Sequence, residues 1–266
     1  HLSNGRVDLG VGRGYQPLEF ARYGVDQTST RAQFDEALRV IQQAWTRGRV
    51  DFEGEHYRFK DVPIRPKPVQ QPHPPIWMAA LSPETFEIAG RYGLNLLFGA
   101  VFGLSPEAAK LRRVDYYRGL RAGGHSFEGR SSGCLNMVYV ADTMERAREE
   151  FRDAVLWYYR TIAKYIAPDK GQKAVKGYEM YTAFRDLAVV ADWEMLLERE
   201  AVICGSPDYV TERLHGFQQT YGFTDLLCWT RLGGLDHRKV LRSMELMRDK
   251  VIPRLRDSQP PPPPAL

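Results

Sequence analysis

The 266-residue sequence has little cysteine, no long apolar run and no block of like charge. Its 3 cysteines, Cys134, Cys204 and Cys228, stand far apart, without the spacing of a zinc site, and read as small apolar residues. The 6 histidines are equally scattered, so no metal is expected. No apolar stretch approaches the roughly 20 residues of a membrane-spanning helix, and a cytoplasmic protein without membrane contact is the expectation. The 37 basic and 33 acidic residues leave a formal charge of +4, but without a Lys/Arg run the electrostatic footprint of a nucleic-acid binder is missing. No Gly-, Ser- or Pro-rich linker divides the middle of the chain, which favours one domain. The first residue is His1 rather than Met, so an incomplete N-terminus is expected and the lack of a leader peptide carries no weight.

What is present is an alternation of short β-type runs with longer helical patterns, as in βα units around a parallel sheet. Strands are expected at Val7–Gly12, Pro75–Ala80, Asn95–Gly99, Cys134–Ala141 and Thr224–Thr230. Helices are expected at Thr30–Arg47, where Phe34, Ala37, Leu38, Ile41, Ala44 and Trp45 share one face, at Ser82–Tyr92, and at Ser105–Ala122. Further helices run from the cap at Thr143 to about Tyr165, from about Asp192 to Glu200, from the Gly205-Ser206-Pro207 start, and over Asp236–Leu255. Two insertions interrupt the rhythm: a hairpin and Pro-rich stretch near 50–74, and a weakly patterned stretch at 167–193 expected to be mobile. The domain is expected over residues 1–257, with the proline-rich residues 258–266 as an extended, disordered tail. Five parallel strands do not close a barrel. The fold is either an open doubly wound sheet or a (β/α)8 barrel without its first three βα units.

Two strand ends carry residues suited to an anion. Leu9-Gly10-Val11-Gly12-Arg13-Gly14-Tyr15 sets glycines and one arginine at a strand C-terminus, the end where parallel βα folds bind ligands. Glycine admits close approach to the backbone, and the guanidinium offers a planar fork of donors matched to phosphate. A tight turn with a surface arginine is the plainer reading, and the spacing is not that of a Rossmann fingerprint. Trp77-Met78-Ala79-Ala80-Leu81-Ser82-Pro83-Glu84-Thr85 is a strand running into a helix start, with Ser82 as cap and Pro83 at the first helical position. A well-formed cap would explain it alone. Its free N–H groups and two hydroxyls also suit phosphate.

The run Asn4–Tyr15, the Gly24-Val25-Asp26 after it, Ser82-Pro83-Glu84-Thr85, Gly93, the Cys134 strand, Gly205-Ser206-Pro207 and the end near Ile252-Pro253 together resemble the luciferase-like flavin monooxygenases. The resemblance implies an α/β fold, a (β/α)8 TIM barrel lacking its first three βα units in this chain. It implies reduced FMN bound at the C-terminal mouth, with Arg13, Ser82 and Thr85 on the phosphate and Gly12, Gly14, Ala80 and Leu81 beside the cofactor. It implies an oxidoreductase in which reduced flavin and molecular oxygen oxidise a small organic substrate, with a separate flavin reductase as partner and a homodimer when full length. A deazaflavin coenzyme working by hydride transfer, and a flavin-binding protein without turnover, are the alternatives within the family. Leu81 stands where light-emitting members carry an acidic residue, and Ala100 where an aromatic is expected. Phe102 is a candidate for that aromatic surface, with a plain core role as its alternative. The family's proton-handling histidines belong to units expected before Ser3, so no catalytic acid or base is assigned.

Overall fold

The computed structural model describes residues 1–166 and 173–266. In chain order they form β1 (Leu9–Val11), α1 (Pro17–Tyr23), α2 (Thr30–Arg47), β2 (Arg49–Glu53), β3 (Arg58–Pro63), β4 (Ile76–Ala79), α3 (Pro83–Arg91), β5 (Asn95–Gly99) and α4 (Pro106–Ala122). There follow β6 (Ser132–Val140), α5 (Met144–Ile162), α6 (Glu179–Val190), α7 (Trp193–Glu198), β7 (Val202–Gly205), α8 (Pro207–Tyr221), β8 (Asp225–Cys228), α9 (His237–Leu246) and, after a π turn at Met247–Val251, α10 (Ile252–Leu255).

The sheet has six strands, all paired in parallel, in the order β1-β4-β5-β6-β7, with β8 also on β6. This is the α/β class the alternation predicts. β6 is long enough to serve three neighbours. Ser132–Leu135 bonds to β5, Gly133–Asn136 to β8, and Met137–Val140 to β7. Among the described residues β1 pairs only with β4 and β8 only with β6, so the sheet does not close on itself.

Every expected strand is present, and one more, β7, was hidden because a buried run as short as Val202-Ile203-Cys204 has no period to read. The turn-rich loop after β1 contains α1, with Pro17 at its start and Gly24 left-handed at its end. The expected hairpin is β2–β3. The stretch 167–193, expected to be weakly patterned and mobile, contains a helix that its pattern did not reveal. Residues 167–172 lie outside the described residues, but Glu179–Val190 is a helix that buries Phe184 and Ala188. The tail also differs from the disordered end expected of it. It forms no helix or strand, yet Arg113 donates hydrogen bonds to the Pro261 and Pro262 carbonyls, and Gln219 to that of Gln259. Proline has no amide hydrogen, but its carbonyl still accepts from side chains.

Two apolar clusters fill the molecule. One joins the sheet to α3, α4 and α8 through Phe86, Leu96, Tyr116, Leu120, Phe217 and Tyr221. The other joins the far half of β6 to α5, α6 and α7 through Met137, Tyr139, Phe151, Tyr159, Phe184 and Trp193. Buried tyrosine must place its hydroxyl. Tyr116, Tyr159 and Tyr221 donate to the carbonyls of Leu94, Val101 and Leu104, at 2.8, 2.8 and 2.9 Å, pinning both ends of β5.

Helices α3 and α4 meet backbone to backbone through a reciprocal glycine pair. A Cβ on Gly90 would fall on the Tyr116 carbonyl oxygen, and one on Gly119 on the Glu87 carbonyl oxygen. Gly119→Ala should therefore lower stability by about 1–3 kcal/mol through overpacking. Gly216→Ala in α8, where nothing lies within 4 Å, should raise it by about 0.5–1 kcal/mol through helix propensity. Urea unfolding checks both, and a stabilised Gly119→Ala would refute the close approach.

Glu36 on α2 is 6% exposed and accepts the backbone N–H groups of Glu55, His56 and Tyr57 at 2.7, 3.0 and 2.9 Å. Gly54 makes this possible, since a Cβ there would strike the carboxylate. Burial raises the Glu36 pKa, but the three donors outweigh it and hold the carboxyl below its ordinary 4.5. Because the folded value is depressed, this stabilisation is present above the unfolded pKa and is lost as pH falls through the folded one. Glu36→Gln should lose less stability than wild type on acidification below pH 4.5. Equal pH slopes would show that the carboxylate contributes nothing.

Candidate functional site

The parallel register sets the C-terminal ends of β1 and β4 side by side, with Val11 opposite Met78. The residues that follow each strand, Gly12-Arg13-Gly14 and Ala80-Leu81-Ser82, therefore emerge together. Gly14 has φ +77°, a left-handed turn that a side-chain-bearing residue adopts only with strain. After β4, Ser82 has extended backbone and caps α3, its Oγ accepting from the Thr85 N–H at 3.3 Å. The two hydroxyls, Ser82 Oγ and Thr85 Oγ1, lie 2.8 Å apart.

These residues enclose a cavity of about 90 Å³ lined by Gly12, Arg13, Gly14, Leu81, Ser82 and Thr85, with Tyr15, Met78, Ala79, Gly177, Met180 and Tyr181. Beside it lies an apolar cavity of about 260 Å³. Ala80 lines that second space, together with Leu97, Gly99, Phe102, Leu135 and Leu227. Tyr15, Ala79, Leu81 and Tyr181 belong to both walls, so a polar compartment with one arginine and the Ser82 and Thr85 hydroxyls adjoins an apolar one. All seven residues singled out in the sequence thus converge, six on the polar cavity and Ala80 on its neighbour.

Phe102 lines the apolar cavity and also packs edge-on against Phe184, with ring centroids 5.6 Å apart, so its surface and core roles coincide. Gly99 gives it room, since a Cβ there would stand 3.0 Å from the Phe102 ring. Ala100 is buried in the core. Among the described residues no group of His, Cys, Asp and Glu is placed to hold a metal ion.

The sequence reading missed the wall contributed by Gly177, Met180 and Tyr181, and Tyr178 behind Arg13. Tyr15 and Tyr181 stack at 5.1 Å with ring planes 11° apart. The Arg13 guanidinium lies 4.9 Å above the centre of the Tyr178 ring and donates to the Gly177 carbonyl at 3.4 Å. Tyr178 is itself fixed, its hydroxyl 2.9 Å from Thr30 Oγ1 and its ring edge-on to Phe20. Burial pushes the Tyr181 phenol up to about 12, against a smaller opposing effect of Arg13, so it stays protonated near neutral pH. Two tyrosines three residues apart after a glycine were the available signal in a stretch otherwise weak in pattern.

The family model for luciferase-like monooxygenases matches residues 1–224. The chain belongs to that family. Among the relatives of this luciferase-like chain, the oxygenase component of the flavin-dependent trigonelline monooxygenase of Acinetobacter baylyi is 26% identical over 261 residues, covering 97% of this chain and 70% of that protein. An uncharacterized protein of Sinorhizobium fredii is 33% identical over 156 residues, 55% of this chain and 42% of that one, so this match spans less than half of the relative's length. The fold is shared with the oxygenating constituent of 3,6-diketocamphane monooxygenase of Pseudomonas putida, with a TM-score of 0.73, 19% identity, and coverage of 94% of this chain and 71% of that one. It is shared too with an F420-dependent secondary alcohol dehydrogenase, with a TM-score of 0.69, 19% identity, and coverage of 95% and 71%.

Tyr178 supports the site arginine of this luciferase-like chain from behind, so the two should be energetically coupled. In a double-mutant cycle of Arg13→Met and Tyr178→Leu, the coupling should be about 0.5–2 kcal/mol, as expected of a partly desolvated cation–π pair. Strictly additive unfolding free energies would show the contact to be incidental.

Proposed function

We propose that the polar cavity binds the phosphate of reduced FMN, that the adjoining apolar cavity receives its ring system, and that the whole protein is a flavin-dependent monooxygenase. The observation carrying this reading is the meeting of Arg13, Ser82, Thr85 and the N-terminal end of α3 in one cavity that adjoins an apolar space. Phosphate fits this donor set. A guanidinium supplies charge and directed N–H donors, the hydroxyls supply short bonds, and the helix end supplies a favourable dipole.

Bound reduced flavin would supply the electrons that activate molecular oxygen toward a small organic substrate. The chain's own residues bind and orient. Arg13 holds the anionic end, Gly12 and Gly14 keep the backbone low beside it, and Leu81 and Ala80 offer an apolar surface that excludes water. Tyr15 and Tyr181 stand at the junction, the Tyr181 phenol kept neutral by burial. No acid or base is assigned among these residues, and the substrate is left open because loops set specificity on such folds.

Support for the flavin comes from the trigonelline enzyme, which is flavin-dependent, and from the diketocamphane enzyme, solved with FMN. The former is an oxygenase component, which favours a separate reductase as partner here as well. A cytoplasmic homodimer completes the proposal for the full-length protein. The F420-dependent neighbour favours a second reading, a deazaflavin coenzyme in the same cavity. The absorbance spectrum of cofactor extracted from the purified protein separates the two. A flavin binder without turnover would show no substrate-dependent oxygen consumption.

Arg13→Ala should weaken FMN binding by about ten- to a hundredfold, the worth of a charge-assisted hydrogen bond. Riboflavin, which lacks the phosphate, should be nearly unaffected, and Ser82→Ala or Thr85→Ala should cost FMN less than Arg13→Ala does. Fluorescence titration of both flavins decides the matter, and equal losses for the two would place the phosphate elsewhere.

A further inference from the structure

We propose that the groove between α4 and α8 is a polyproline-binding site, occupied in this protein by its own C-terminal segment, residues 258–266. The groove opens at the N-terminal ends of β5, β6 and β8, beside Leu96, Ser132 and Thr224, at the opposite end of the sheet from Arg13.

The chemistry of the segment limits how it can be held. Pro260 to Pro264 form an unbroken run without amide hydrogens. A polyproline II helix makes no internal hydrogen bonds, so its carbonyls and ring faces are all that a receptor can read. The groove presents both kinds of partner. One Arg113 amino group donates to the Pro261 and Pro262 carbonyls, at 2.9 and 3.0 Å, and Gln219 Nε2 donates to the Gln259 carbonyl at 2.7 Å. Pro260 and Pro261 wall a small cavity with Tyr116, Tyr117 and Tyr221. Tyr117 is braced edge-on by Phe127, with centroids 5.1 Å apart. Ser258 anchors the entry, its Oγ donating to Gln218 Oε1 at 2.5 Å and lying 3.0 Å from His215 Nδ1.

Arg113 is built into the groove. It occupies the space a Cβ would take on Gly222, which has φ +68°. Burial lowers its pKa, and no carboxylate contributes among the influences on it. A half-buried guanidinium without an anionic partner among the described residues needs acceptors, and the two proline carbonyls serve it together with the Tyr117 hydroxyl. The ligand class is therefore a short polyproline segment, recognised by side-chain donors in a groove lined by tyrosines. Taken in cis, it straps α4 to α8 at the end of the sheet away from the proposed cofactor.

The test couples Arg113 to the tail. The full chain and a chain ending at Asp257 are compared, each with Arg113 and with Arg113→Ala, by calorimetry. Removing the tail should lower Tm by about 2–6 °C when Arg113 is present and by clearly less in Arg113→Ala, because the two changes share the Arg113–proline contacts while those of Gln219 and Ser258 remain. A fluorescein-labelled peptide of sequence Ser-Gln-Pro-Pro-Pro-Pro-Pro-Ala-Leu should bind the shortened chain saturably by anisotropy. It should not bind the full chain, whose groove is filled, and Gln219→Ala should weaken it several-fold. In the full chain, NMR relaxation should find the Gln259 and Ala265 amides ordered in wild type and mobile in Arg113→Ala, a readout independent of whether the shortened chain folds. Additive Tm losses, a tail mobile in both proteins, or a peptide bound equally by both chains would overturn the proposal. So would a dimer that dissociates on tail removal, since it would place the segment on a second copy.

Discussion

Everything at the candidate site depends on the backbone hydrogen bonding that locks β1 to β4 in parallel, Leu9 opposite Ile76 and Val11 opposite Met78. The strands are short, three and four residues. A slip of one residue would turn each strand's side chains to the opposite face of the sheet. In register, the turn at Gly14 and the cap at Ser82 open on the same space, although the α2 helix and the β2–β3 hairpin separate them in sequence. The hairpin is itself tied to α2 by Glu36, so this long excursion has a defined base.

The site is rigid on one side and locally assembled on the other. Its floor is strand and helix, the C-terminal ends of β1 and β4 with the capped start of α3. Its opposite wall, Gly177 to Tyr181, holds on through side chains. The arginine rests on one tyrosine and the second tyrosine stacks on Tyr15. Aromatic and cation–π contacts of this kind are worth about 0.5–2 kcal/mol each. They position a wall without the cooperativity of a sheet, which suits a place where ligand must enter. Loops carried on a rigid scaffold are where binding residues concentrate.

The far end of the sheet is treated differently. There the glycine pair, the buried Tyr116 and the proline segment over Arg113 pack the ends of β5, β6 and β8. Parallel βα proteins commonly divide labour in this way, with ligands at the strand C-termini and packing at the N-termini. In this luciferase-like chain the division is visible in the residues. Arg13 makes one long bond, 3.4 Å, to the Gly177 carbonyl beside its cavity, whereas Arg113 donates to two carbonyls of the chain at 2.9 and 3.0 Å.

Local features were legible in the sequence because they rest on local physics. The caps at Ser82, Ser105, Thr143, Asp192, Ser206 and Asp236 all accept a backbone N–H from the first turn of their helices. The resemblance carried by Gly12-Arg13-Gly14 and Ser82-Pro83-Glu84-Thr85 singled out the residues that meet at the cavity. Periodicity could not find β7, a buried strand too short to alternate, nor assign α6 from a stretch of mixed polarity. Nor could composition tell that a proline run would be docked, because that depends on Arg113 lying beside it. The sequence by itself determined the class of fold, the side-chain-capped helix starts and the pair of strand ends. Tertiary structure alone decided which tyrosines close the site and where the tail lies, because contacts between residues distant in the chain leave no local signal.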